Sequence, residues 1–208
     1  MFKSLVLKLH LKSSKRSSDI PYLFLITDSI RLSELKEILK YLKKDMGIIY
    51  RNNQKKDALH KTKKILKKCK ERKVKFFFAG SICQASSLRI TNIHIPENLL
   101  RMPTKAGLHL RRINKKLLVT ASAHSYPAIV RASQLGVSAI LLSPVFKTES
   151  NFRKNNLGII RFSMLTNKSS SPIVALGGVN KHNVKKLYFT NASGVAALNA
   201  FKNNNINN

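Results

Sequence analysis

The sequence is poor in the residues on which several classes of protein depend. Its 208 residues include no tryptophan, nine acidic residues and two cysteines. Cys69 and Cys83 are too few and too far apart for a disulfide framework or a C-x-x-C metal site, so we expect a reducing compartment and no structural metal.

Long apolar runs are missing as well. No segment approaches the roughly 20 consecutive apolar residues that a membrane-spanning helix needs. Lysines interrupt the N-terminal stretch MFKSLVLKLHLKSSKRSS, where a signal peptide would need an unbroken apolar region. The sequence therefore predicts a cytoplasmic protein with no membrane partner.

Positive charge is the feature in excess. The chain has 39 Lys and Arg residues against nine acids, a formal net charge of +30, and such a field attracts nucleic acids and phosphorylated metabolites alike. The basic residues are spread along the predicted helices and do not alternate with aromatic residues. We therefore expect a solvated basic surface with no specific nucleic-acid partner; nonspecific, salt-dependent binding to nucleic acid is the weakest alternative.

The apolar residues recur in short runs with amphipathic segments between them. Eight runs begin at Tyr22, Gly47, Val74, Asn92, Leu117, Ser138, Pro172 and Gly194. They lack strict alternation with polar residues, as expected for parallel strands buried on both faces. Repeated strand and helix units predict a single-domain (β/α)8 TIM barrel, with a doubly wound open sheet as the alternative.

Composition also divides the chain. We expect the barrel to occupy residues 21–202, between a basic N-terminal segment, 1–20, and a polar tail, 203–208. The stretches LKSSKRSS and FKNNNINN are predicted to be solvated, so the core should begin near residue 20.

Loops that follow the strands of such a barrel form its active-site face. The sixth run ends in SPVFKTES, whose Thr148 and Ser150 suggest an anion site. The seventh run is followed by Gly177 and Gly178, which let the backbone approach a ligand and turn N–H groups towards a phosphate. A purely structural turn is the alternative for the glycine pair.

Histidine and arginine side chains add candidates for chemistry. His124 follows the fifth run and suits a general acid or base. Alternatively, this segment is a helix start, with Ser125 as its cap, Pro127 in the first turn and His124 incidental. Arg51, after the second run, can grip a phosphate or lie on the surface. His94, inside an apolar run, is expected to be a core residue with satisfied hydrogen bonds.

Three segments carry a resemblance to a known family. YLFLITD, VTASAHSYPAIVRASQLGVSAILLSPVFKTES and PIVALGGVNKHNVKKLYFTNASGVAALNAF resemble the thiamine phosphate synthases and their sister family, the thiazole tautomerases, over about residues 22–201. Both families are (β/α)8 barrels. The synthase joins a thiazole phosphate to a hydroxymethylpyrimidine diphosphate with Mg²⁺, whereas the tautomerase aromatises a thiazole carboxylate phosphate by proton transfer.

The resemblance implies roles for particular residues. The family's phosphate loop T-x-T falls on Thr148 and Ser150, its glycine contact falls on Gly178, and its final phosphate-binding pair falls on Leu198 and Asn199.

Two further positions match the part of the family site that holds the pyrimidine diphosphate. The serine of that part falls on Ser122, and the arginine of the family motif Q-L-R-x-K falls on Arg51.

Departures from the family pattern fall on the half of the site that binds Mg²⁺ and diphosphate. In Q-L-R-x-K this chain has Ile49 and Asn53, and Ala79 and Gly80 replace the family's N-D pair after strand three. Leu99 stands at the position of the second metal ligand. The acids that follow predicted strands are Asp28, Glu97 and Glu149, and no pair among them stands out.

These departures favour a metal-independent reaction. The tautomerase reading makes His124 the group that moves the ring proton and places Arg51 at the substrate carboxylate, with a phosphorylated thiazole as partner and no cofactor. The alternatives are a genuine synthase, which would need Mg²⁺, and a non-catalytic barrel that binds a phosphorylated ligand.

Overall fold

A computed structural model describes residues 2–15, 17–28, 43–51, 58–80, 82–101, 117–148 and 156–197. Within these ranges eight parallel strands form a closed barrel in chain order, and β8 is hydrogen-bonded to β1. The strands are β1 Leu23–Asp28, β2 Met46–Arg51, β3 Lys75–Ala79, β4 Asn92–Ile95, β5 Leu118–Ala123, β6 Ala139–Leu142, β7 Ile173–Leu176 and β8 Gly194–Ala197. The predicted TIM barrel is confirmed, and the open-sheet alternative is wrong.

Helices lie between the strands and before the first of them. The α-helices in the described ranges are α1 Phe2–Lys12, α2 Ala58–Glu71, α3 Ile82–Ser87, α4 Tyr126–Gln134 and α5 Gly158–Lys168. The same ranges contain two 3₁₀ helices, η1 Glu97–Arg101 after β4 and η2 Val184–Phe189 after β7. The helix that the pattern predicts around residues 32–42 lies outside the described residues.

The strands are apolar on both faces because each face packs in a separate hydrophobic cluster. Phe24, Ile49, Phe77 and Leu141 belong to a cluster that joins opposite strands and therefore fills the barrel interior. The rings of Phe24 and Phe77 meet edge to face, with centroids 5.4 Å apart. The alternate strand residues, such as Ile48, pack outward against the helices. This double burial explains the continuous apolar runs of the sequence.

The N-terminal helix α1 extends this core beyond the predicted start. Phe2, Val6 and Leu9 are buried, and α1 packs on η2 and β8. The ring nitrogen Nδ1 of His10 lies 2.6 Å from the carbonyl oxygen of Ser193. The prediction that the core begins near residue 20 is therefore wrong. The three buried apolar residues of α1 are separated by lysines and other residues in the sequence, so they do not form a continuous apolar run.

None of the helices in the described ranges has both the length and the apolarity that a membrane span requires. Because the strands are parallel, their carboxyl ends all lie at one mouth of the barrel, with Arg51 at the end of β2 and Ala123 at the end of β5.

Candidate functional site

One wall of the barrel interior is polar. Leu118 packs against the interior cluster, and alternate residues of a strand share a face, so Thr120 and Ser122 of β5 point inward too. Across from them on β4, His94 lies with Nδ1 3.0 Å from Thr120 Oγ1 and Nε2 2.9 Å from Ser122 Oγ. We call these three buried residues, His94, Thr120 and Ser122, the polar wall.

His94 is uncharged in this setting. Burial lowers its pKa from the ordinary 6.5 to about 3, and the positive charge of Arg51 acts in the same direction. Both ring nitrogens have hydroxyl partners. The prediction that His94 is a core residue with satisfied hydrogen bonds is therefore confirmed.

His124 is exposed, whereas His94 is buried. It follows β5 at the mouth of the barrel, and 53% of its side chain is exposed. Its Nδ1 contacts Oε2 of Glu97, the first residue of η1, whose side chain is 14% exposed. A carboxylate oxygen accepts, so this contact places a proton on Nδ1 and leaves Nε2 as the nitrogen that can exchange protons with a ligand.

The helix start beside His124 is also as predicted. Ser125 is the N-cap of α4, its hydroxyl accepts a hydrogen bond from the backbone N–H of Ala128, and Pro127 lies in the first turn. The cap fixes where the chain turns from β5 into α4. It does not make His124 incidental, because Glu97 holds the imidazole separately.

Backbone hydrogen bonds join the loops after β6 and β7. Val145 N donates to Leu176 O at 2.9 Å, and Phe146 N donates to Gly177 O at 3.0 Å. Gly177 and Gly178 have positive φ angles of 94° and 68°. A Cβ atom on Gly178 would lie 2.8 Å from Phe146 Cβ and would also overlap the carbonyl oxygen of Lys147. The glycine pair thus has a structural role in joining the two loops.

The predicted site residues in the described ranges occupy one end of the barrel. Arg51 is exposed at the end of β2, Ser122 is buried near the end of β5, and Thr148 is half-buried in the loop after β6. Gly177 and Gly178 follow β7. The other predicted site residues, Ser150, Leu198 and Asn199, lie outside the described residues.

Two contacts in the site were not predicted. Glu97 is one of the acids that follow a predicted strand, but its pairing with His124 joins residues 27 positions apart. Thr120 sits inside an apolar run and carries no pattern that distinguishes it from a packed strand residue. Its role follows from the register of β4 and β5, in which His94 is the partner of Thr120.

The described residues at the expected metal positions have no carboxylate side chain. Ala79 ends β3, and a Cβ atom on the following Gly80 would overlap the ring of Phe78. Leu99, at the second expected ligand position, is 36% exposed and carries no oxygen. Within the described ranges no three His, Cys, Asp or Glu side chains are grouped so that they could hold a metal ion. Glu149, one of the acids that follow predicted strands, lies outside these ranges.

The fold and the site place the chain among the (β/α)8 barrels that have a polar site at the mouth. The chain is a single closed (β/α)8 barrel whose candidate site combines a buried neutral histidine, an exposed histidine held by a carboxylate, and a glycine turn at the mouth.

Comparison with known proteins identifies the family. A family model described as thiamine monophosphate synthase matches residues 23–201, and the chain therefore belongs to that family. A putative thiamine-phosphate synthase 2 from Aquifex aeolicus is 29% identical over 188 residues, covering 88% of this chain and 98% of the relative. A thiamine-phosphate synthase from Methanococcus vannielii is 24% identical over 180 residues, 85% of each chain.

A solved structure confirms the fold. Thiamine phosphate pyrophosphorylase from Pyrococcus furiosus superposes with a TM-score of 0.68, at 20% identity, covering 88% of this chain and 87% of that one.

Gly178 and Gly158 form a matched pair for testing the loop junction. Both have a φ of 68°, but a Cβ atom on Gly158 would meet nothing within 4 Å. We expect Gly158→Ala to lower the free energy of unfolding by about 1 to 2 kcal/mol through backbone strain alone. Gly178→Ala should lose a further 1 to 3 kcal/mol, roughly, through overpacking. Urea denaturation measures both, and equal losses would contradict the account.

The neutral state of His94 predicts a dependence of stability on pH. In the unfolded chain a histidine gains a proton near pH 6.5, whereas folded His94 does so only near pH 3. Between these values the unfolded state binds more protons, so the free energy of unfolding should fall by up to about 1.4 kcal/mol per pH unit as the pH is lowered.

Urea denaturation of His94→Gln between pH 4.5 and 7 should show that this component of the slope has gone. His60→Gln, at an exposed position on α2, serves as the control and should retain the slope because His94 is unchanged in it. A His94→Gln variant with an unchanged slope would show that His94 titrates normally.

Proposed function

We propose that this member of the thiamine monophosphate synthase family is an enzyme of thiamine biosynthesis that binds a phosphorylated thiazole and moves a ring proton with His124. Family membership supports the pathway. The observation that supports proton transfer is the contact between His124 Nδ1 and Glu97 at the mouth of the barrel.

The chemistry follows from the state of the imidazole. With the Nδ1 proton held by Glu97, Nε2 has a lone pair and takes a proton from a ring carbon of the thiazole. The same nitrogen then gives the proton to a carbon outside the ring that was doubly bonded to it. One C–H bond breaks, another forms, the double bond moves into the ring, and the net composition is unchanged. The Glu97 carboxylate stabilises the imidazolium that exists between the two transfers.

Substrate binding is assigned to groups around the same mouth. Arg51 offers a guanidinium to the substrate carboxylate, for which its planar donors are suited. Thr148 and the turn of Gly177 and Gly178 offer hydroxyl and backbone groups to the phosphate. The predicted phosphate contacts at Ser150, Leu198 and Asn199 remain part of this proposal.

No step of the proposed reaction passes through a metal ion. The described residues at the metal positions of the family are Ala79, Gly80 and Leu99, none of which has a side-chain oxygen. Loss of pyrophosphate in the synthase reaction depends on electrostatic stabilisation of the leaving group, which Mg²⁺ supplies. Proton transfer has no such leaving group and needs only the histidine.

A synthase is the second candidate, and the comparisons favour it because the relatives are themselves named thiamine-phosphate synthases. It would need Mg²⁺ and diphosphate contacts at residues other than Ala79, Gly80 and Leu99. A barrel that binds the phosphorylated ligand without chemistry is the third, and it predicts that the wild-type protein binds the ligand but does not accelerate proton transfer.

His124→Ala should abolish proton transfer and leave binding of the thiazole phosphate nearly unchanged. Loss of a general acid or base typically costs about 10² to 10⁴ in rate. Glu97→Gln should reduce the rate less, because the histidine is retained but its orientation and imidazolium lose the carboxylate. Exchange of the thiazole ring proton with deuterated water, followed by NMR, measures the rate, and calorimetry measures binding.

His60→Ala is the matched control, since His60 is an exposed histidine on α2. It should retain the wild-type rate. Normal turnover by His124→Ala would remove the proposed role of this residue.

A further inference from the structure

A cavity of about 480 Å³ lies at the end of the barrel opposite the mouth, and we call it the basal cavity. Most of its lining comes from α1 and from segments that lead into three neighbouring strands: 20–22 before β1, 44–45 before β2, and Lys73 and Lys75 at the start of β3. These strands are parallel, so the segments share the amino-terminal end of the barrel. A six-residue strand such as β1 spans about 20 Å, which separates the basal cavity from the mouth.

Part of the lining is apolar or aromatic. Leu7 and His10 of α1 lie there with Ile20 and Tyr22. The rings of His10 and Tyr22 have centroids 6.1 Å apart and planes tilted by 42°. The Nδ1 of His10 donates to the carbonyl oxygen of Ser193 at 2.6 Å, which holds the imidazole in place. Such a lining suits a ligand with an aromatic ring, which gains from burial and from contacts between rings.

The remaining lining has more positive than negative charge. Lys44, Lys73 and Lys75 contribute three ammonium groups, against the single carboxylate of Asp45 among the described lining residues. The Nζ of Lys75 contacts the carbonyl oxygen of Asp19, but an ammonium has three N–H donors and can engage a ligand as well. An excess of two positive charges matches a phosphomonoester, which carries close to two negative charges at neutral pH, better than it matches a carboxylate.

Positive charges are also crowded beside the basal cavity. Lys3 lies on α1, one helical turn before Leu7, and Lys43 is next to Lys44 in the chain. Burial lowers the pKa of Lys3, and the positive charge of Lys43 acts in the same direction. A bound anion would relieve this repulsion between like charges.

The backbone at Lys73 is in a conformation that normally belongs to glycine. Lys73 follows α2 with a φ of 55°. Its N–H donates to the carbonyl of Lys70 at 3.1 Å, and the N–H of Val74 donates to that of Cys69 at 2.9 Å. This pair of hydrogen bonds is the Schellman ending of a helix, in which glycine is usual because a side chain is strained there. Strained positions of this kind are often retained for a function of the side chain.

We propose that the basal cavity is a second ligand site, which binds a phosphomonoester that carries an aromatic ring. The ring lies against His10 and Tyr22, and the phosphate lies among Lys44, Lys73 and Lys75. A ligand at this end of the barrel does not reach His124, so it takes no part in proton transfer at the mouth. The second site therefore goes beyond the proposed function and does not depend on it.

One histidine at each end of the barrel reports binding separately. His10 lies in the basal cavity and His124 at the mouth, and comparison with His10→Gln and His124→Gln identifies their ring signals in NMR spectra among the six histidines. The probe is 1-naphthyl phosphate, for which we expect saturable shifts of the His10 signals. Inorganic phosphate should bind there roughly tenfold more weakly, or worse, because it has no ring to bury. 1-Naphthalenesulfonate, with the same ring and one negative charge, should also bind more weakly.

Lys73→Gly tests the charge, and Arg89→Gly is its matched control. Arg89 follows α3 with a φ of 51° and the same pair of backbone hydrogen bonds, but it is not among the described residues that line the basal cavity. Each variant loses one positive charge, and each should keep or raise the urea midpoint because glycine adopts this φ without strain. We expect Lys73→Gly to weaken the binding reported by His10 roughly 3- to 10-fold, and Arg89→Gly to leave it unchanged.

Three results would each overturn the second site: no saturable shift at His10, equal affinity for 1-naphthyl phosphate and inorganic phosphate, or equal effects of Lys73→Gly and Arg89→Gly. The basal cavity would then be a crevice in a basic surface. His124→Ala should leave the His10 titration unchanged. The proton-transfer proposal can therefore fail while the second site stands, and the second site can fail while proton transfer is retained.

Discussion

Closure of the barrel between β8 and β1 is the constraint on which the site depends. The backbone N–H of Val195 donates to the carbonyl of Tyr22 at 2.8 Å, and a Cβ atom on Gly194 would overlap that carbonyl. Only a glycine therefore allows the last strand to approach the first this closely. Closure leaves no free strand edge, and it brings the carboxyl ends of all the strands to one mouth.

Two histidines of the candidate site, His94 and His124, are in different environments. His94 is enclosed by hydroxyl groups, and its burial keeps it neutral. His124 is exposed and contacts Glu97, and it is the histidine to which we assign the proposed proton transfer. Burial and the nature of the partner, not the residue type, distinguish the two histidines.

Sequence patterns predicted the strands well because burial on both faces leaves short continuous apolar runs, which polar and charged segments separate. They also predicted the Ser125 cap, which depends on neighbouring residues alone. They missed the buried face of α1, whose three apolar residues lie among lysines. They also missed the contact of Glu97 with His124, because the register of β4 against β5 determines it and no local pattern reports that register.

The most direct test of the account is calorimetric titration with thiazole phosphate, its carboxylated precursor and hydroxymethylpyrimidine diphosphate, each with Mg²⁺ and with EDTA. The account predicts that both thiazoles bind equally well under the two conditions and that the diphosphate does not bind specifically. Binding of the diphosphate that requires Mg²⁺ would contradict it and would identify the protein as a synthase.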